Sequence, residues 1–145
     1  MAITSAICIS FKVELLKGTH DFTATTGNTF KIALYDSDAT LGAGSTAFTT
    51  SEEITNTSGT AYTSGGATLT SVTPVASSTT ALCDFADVSF SSATFTANGA
   101  LIYNSSATNA AVAAIAFGSD KTATNGTFTI QFPAADASNA IIRLA

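Results

Sequence analysis

Tryptophan is absent from this 145-residue sequence, methionine and histidine occur once each, proline and cysteine twice, and only five side chains are cationic. Each shortage removes a class of function. Lys12, Lys17, Lys31, Lys121 and Arg143 are too scattered to neutralise several phosphates, and a formal charge of −5 repels a polyanion, so no nucleic-acid partner is expected. The sequence contains no run of about 18 apolar residues. Its opening stretch from Met1 to Ile9 is interrupted by Thr4 and Ser5 and lacks a cationic start, so neither a membrane partner nor a signal peptide is expected. Cys8 and Cys83 fit no metal spacing; they either pair across a closed fold or serve as two small buried hydrophobes.

What is present is alanine, threonine and serine, 70 residues in all, against 15 charged ones. Hydroxyls must therefore do much of the solvating that charges do elsewhere. Val, Ile, Leu, Met, Phe and Tyr number 37, enough for one modest core, and the length suits a single domain over residues 1–145.

The spacing of Phe11, Leu15 and Leu16 predicts one short helix over residues 10–17, with Ser10 as N-cap and Gly18 as stop. Beyond His20 the pattern changes to short alternating runs separated by Gly, Asn, Asp and Ser, which is the pattern of antiparallel strands. Phe30, Ile32 and Leu34 are expected to point inward, with Lys31, Ala33 and Tyr35 alternating, before a turn at Asp36-Ser37-Asp38. Residues 39–64, rich in Gly, Thr and Ser, form a long irregular loop or arm, an expected contact element together with the N-terminal segment, with Phe48, Thr49, Thr50, Ile54 and Tyr62 as its interaction residues.

Further strands are expected at 67–75, with Pro74 confining it to an edge or terminus, and at 79–85, 92–97, 100–104, 109–117, 127–132 and 140–144. Turns are expected at Asn98-Gly99, Gly118 to Asp120 and Asn125-Gly126. Residues 110–117 are apolar on both alternate faces and read as a buried strand, and the closing run reads as sheet-bound rather than as a free tail. The sum is an all-β protein, an antiparallel β-sandwich of about eight strands, jelly-roll or immunoglobulin-like, with one N-terminal helix.

Chemistry is hard to place on this sequence. His20 beside Asp21 has no neighbours that complete a triad and reads as a partner for the carbonyls at the helix end. Gly42-Ala43-Gly44-Ser45 lacks the spacing of a nucleophile elbow. Asp36 with Asp38, and Asp84 with Asp87, read as turn formers, since neither pair continues into the ligand series that calcium requires. Asn56-Thr57-Ser58, Asn104-Ser105-Ser106 and Asn125-Gly126-Thr127 match the glycosylation pattern and are read as turns. The ten phenylalanines serve mainly as core, because sugar stacking favours Trp and Tyr. No enzyme activity, cofactor or metal site is expected.

Ser10-Phe11-Lys12 leading to Glu14-Leu15-Leu16-Lys17-Gly18, Phe30–Tyr35, and Tyr62-Thr63-Ser64-Gly65-Gly66-Ala67-Thr68-Leu69 are followed by Ala100-Leu101-Ile102-Tyr103 and Phe117-Gly118-Ser119-Asp120. In this order they resemble a family of small virion-associated proteins of tailed bacteriophages, over nearly the whole chain. The resemblance implies a structural role in the virion after synthesis in the host cytoplasm, with the major capsid protein or other virion proteins as partners. Capsid decoration (cement) as a homo-oligomer, a trimer, is the favoured role. The alternatives are a tail, neck or fibre component, or a receptor- or glycan-binding module, which would require Tyr35, Tyr62 and Tyr103 to be exposed near loops.

Overall fold

A computed structural model describes residues 2–55 and 61–145. Strand β1 (Ala6–Ile7) leads directly into helix α1 (Ile9–Leu16), followed by β2 (Phe30–Tyr35), β3 (Ala67–Thr68), β4 (Ser71–Ser77), β5 (Thr80–Phe85), β6 (Val88–Asn104), β7 (Ala110–Ile130) and β8 (Ile142–Leu144). The strands form two antiparallel sheets, of order β1-β7-β6-β2-β3 and β4-β5-β8, and the fold is the all-β sandwich of about eight strands that the sequence implied.

The helix begins one residue earlier than expected, and Cys8 rather than Ser10 is its N-cap, without a side-chain cap. The free amides of the first turn find loop and strand carbonyls instead: Cys8 N–H donates to Val112 O and Ile9 N–H to Ala43 O. At the other end Gly18, with φ of 74°, closes the helix as anticipated. Its N–H donates to Leu15 O and that of Thr19 to Glu14 O, the paired bonds of a Schellman cap. Of the three apolar positions expected on one inner side, Phe11 is buried and Leu15 half-buried, but Leu16 faces solvent at 90% exposure.

Strand β2 departs from simple alternation. Ile32, Ala33, Leu34 and Tyr35 are all buried, so both of its faces are covered and Ala33 and Tyr35 do not point outward. Long strands β6 and β7 replace four shorter ones expected from the sequence. They pair from Val88↔Ile130 to Asn104↔Ala110, closed by a turn in which Thr108 and Asn109 take positive φ.

The three turn signals inside this ribbon are local irregularities instead of chain reversals. Gly99 pairs with Tyr35 on one side and Ala116 on the other; a Cβ there would lie 2.6 Å from Ile115 O and 2.7 Å from Ile3 Cδ1. It is needed for close approach, not for a turn. Residues 117–120 bulge opposite Asn98 alone, whose Nδ2 donates to Asp120 Oδ1 at 2.8 Å. Asn125, at φ of 45°, lies in a second bulge, where its N–H donates to Thr94 Oγ1.

In the smaller sheet β4 is an edge strand, and Pro74 falls within the bulge between Val72 and Val75, where no ladder amide is lost. The closing run is sheet-bound as expected, through Cys83↔Ile142, Leu82↔Arg143 and Ala81↔Leu144. One aromatic cluster joins the sheets. Phe22 stacks on Phe30 at 4.2 Å, and Phe85 meets both at 6.2 and 5.8 Å before contacting Phe132 at 5.6 Å. Each buried ring contributes roughly 1.5–3 kcal/mol through area removed from water.

Candidate interaction surface

The described residues of the 39–64 segment lie against their own domain. Strand β3 covers the outer edge of β2 only at Lys31 and Ile32, which leaves the backbone of Leu34 and Asp36 in need of partners. The segment supplies them: Ile54 N–H donates to Leu34 O, Asp36 N–H to Glu52 O, and Leu34 N–H to the Tyr62 hydroxyl at 2.9 Å.

Tyr62 in turn donates to Glu53 Oε1 at 2.7 Å, an oxygen that also accepts the Gly65 N–H, while Ser64 Oγ donates to Oε2. Tyr35 donates to Thr49 O and Tyr103 to Gly65 O, both at 2.7 Å. All three phenols are buried, and burial is the main cause that raises each above the ordinary tyrosine range.

These positions divide the expected interaction residues. Ile54 and Tyr62, at 7% and 6% exposure, are core residues and offer no contact surface. Phe48 is half-buried, stacked on Tyr103 at 4.6 Å, and only Thr49 and Thr50 are exposed. A tyrosine platform for glycans is overturned by the burial of Tyr35, Tyr62 and Tyr103. Residues 56–60, with the Asn56-Thr57-Ser58 tripeptide, lie outside the described residues.

His20 does not pair with the helix-end carbonyls. It turns into the core, with Phe11 at 4.8 Å and Phe22 and Phe30 beyond. The hydrogen-bond pattern defines its tautomer. Ser106 N–H donates to Asn104 Oδ1, so the Asn104 amide donates through Nδ2 to Asn28 Oδ1 and to His20 Nδ1 at 3.0 Å. Nδ1 is therefore the acceptor, and Nε2 carries the proton donated to Glu14 Oε2 at 2.8 Å. Every member of this group holds another in place, and among the described residues the hydrogen bonds of the imidazole go to Asn104 and Glu14.

Both cysteines are free and buried. Burial pushes the Cys83 thiol up to about 12, with Asp84 adding to the effect, and it raises Cys8 with help from Glu14. They are small core residues rather than nucleophiles.

Two acidic groups differ from their reading as simple turns. Asp36, Asp38 and Glu52 bring one carboxylate oxygen each within 4.8 Å of one another. Glu52 joins this group through the bridge that pairs Tyr35 with Glu53, a long-range contact with no local sequence signal. Asp36 Oδ1 accepts the Asp38 N–H as a turn former does. Asp84 is buried at 1% exposure, with Oδ1 accepting its neighbour's Phe85 N–H and Oδ2 lacking a hydrogen-bond partner among the described residues.

The outward surface has two characters. On the free half of the β6–β7 ribbon, exposed hydroxyls pair across the strands, Ser89 with Thr129 at 2.9 Å and Thr96 with Thr122 at 2.8 Å. Around α1 the surface is apolar: a ridge of exposed Ile9, Val13 and Leu16 runs along the helix, and an open cleft of about 260 Å³ separates the helix from β5 and β8. A second groove of about 530 Å³ follows β7 past Phe117, Phe128 and Phe132. No family model, curated protein or solved structure matches this chain.

Proposed function

We propose that this chain is a structural protein of a tailed-phage virion, a decoration (cement) protein that lies as a homo-oligomer, a trimer, on the shell of the major capsid protein and stabilises it. The observation that carries this reading is the outer face of the β6–β7 ribbon. It presents Ser89, Thr96, Thr122, Thr127 and Thr129 on a two-stranded support, with Lys121 the one charged side chain in the paired stretches 88–97 and 121–130.

Such a face gives up little charge hydration on contact and offers a hydroxyl every second residue for hydrogen bonds across a broad interface. Many weak contacts of this kind add up once neighbouring copies are anchored on one shell. The contact surface is then the ribbon with Thr49 and Thr50, while Ile54 and Tyr62 maintain the shape behind it.

Copy number per purified virion, measured by quantitative mass spectrometry against the major capsid protein, tests the proposal. Near-stoichiometric abundance is expected. A handful to a few dozen copies would place the chain at the neck, tail or fibres, and absence from particles would overturn the virion reading.

A further inference from the structure

We infer that α1 binds a second copy of this chain head to tail, the ridge of one copy entering the cleft beside α1 of the next. Ile9, Val13 and Leu16 are 59%, 49% and 90% exposed, and their spacing of four and three residues aligns them on one side of the helix. Three large apolar side chains in register on the one helix among the described residues are more than the scattered exposure normal for a monomer.

The charges beside the ridge are both positive. Lys12 and Lys17 flank it and are exposed, whereas Glu14 is turned inward to His20; among the described residues neither lysine has an ion-pair partner. Three further cations against the nine carboxylates other than Glu14 leave the rest of the molecule strongly acidic, so the complement of this face is found on another copy.

The cleft fits the ridge in both respects. Leu15, Pro74 and Leu144 line it with apolar surface over the buried Phe11, and the exposed carboxylate of Asp21 stands at its wall, placed to meet Lys12 or Lys17 of the incoming helix. Ridge and cleft lie about 150° apart around α1 at 100° per residue, so no copy fills its own cleft. The joined patches differ, and the contact is heterologous, of the kind that closes into a ring when the rotation permits. Pairing helix ridge to helix ridge would instead bring lysines together.

This contact deepens the oligomer of the virion reading, but its test needs only the purified full chain, so either can fail alone. Sedimentation velocity up to about 100 μM is expected to show self-association of the wild type. Leu16→Glu, in the ridge, and Leu144→Glu, in the cleft, should each weaken it by at least about tenfold while melting cooperatively. Their equimolar mixture should form a dimer, since each retains the surface that the other lacks. If Leu144→Glu does not fold, Asp21→Lys takes its place. A monomeric wild type, association unchanged in Leu16→Glu, or a mixture of folded variants that stays monomeric would each overturn the inference.

Discussion

Asp84 is where burial and charge conflict most directly. Burial raises its pKa above the ordinary aspartate value, the amides of Phe85 and Ile141 pull it back, and the carboxylates of Asp87 and Asp136 push it further up. A carboxyl raised in the folded state binds its proton more tightly there than in the unfolded chain, so its penalty is absent at low pH. Stability is lost as pH rises from about 3.8 through the folded value and stays lost above it. Asp84→Asn is therefore expected to melt above wild type at pH 7, with the difference shrinking as pH falls toward 4; melting curves across that range check it.

Tyr62 shows the opposite case, a buried polar group fully used. Tyr62→Phe strands the Leu34 N–H and leaves Glu53 Oε1 with the Gly65 N–H alone, and should cost about 1–3 kcal/mol, read as a lower denaturant midpoint with unchanged slope. The sequence showed a tyrosine in a polar loop; it held no sign that the ring would close a strand edge 28 residues away.

At the scale of elements, composition set the type of structure better than its boundaries. Gly99 and the Gly118 to Asp120 stretch carry residues that permit a turn, and the same backbone freedom serves a close approach or a bulge when the strands on both sides remain paired. Local signals cannot distinguish these outcomes, because pairing with β2 and β7 decides them. The buried strand expected at 110–117 was legible over 110–114, where alanines and a valine on both faces fit a position between layers and all five are buried, whereas Ile115, Ala116 and Phe117 are half-buried.

Strand β8 was legible for a similar reason. Deleting residues 141–145 removes Ile142 from beside Cys83 and leaves β4 and β5 as a two-stranded sheet, marginal in water, held to the domain by core packing such as that of Phe85. The truncated chain should lose its cooperative thermal transition, and calorimetry showing an unchanged transition would contradict this role.

For the whole molecule, scarcity of charge has a mechanical consequence. An interface made of hydroxyl pairs and apolar contacts is little affected by ions, whereas one made of surface ion pairs weakens as the screening length falls below about 8 Å. On the proposed function, the chain should stay on purified particles at about 0.3 M salt. Co-sedimentation with the shell measures this, and quantitative release would show that charge holds it there.

The sequence by itself determined the fold class: alternating runs that bury their apolar sides in antiparallel sheets, after a short helix stopped at Gly18. Tertiary structure decided what each polar residue does. Whether Tyr62, His20, Asn104 or Asp84 faces water depends on which distant backbone arrives beside it. Ile54 and Leu16 exchanged expected places for the same reason: a loop isoleucine is buried when it covers a strand edge, and a helix leucine is exposed when nothing folds over it. Burial is a property of packing between segments far apart in the chain, and local pattern records only the capacity for it.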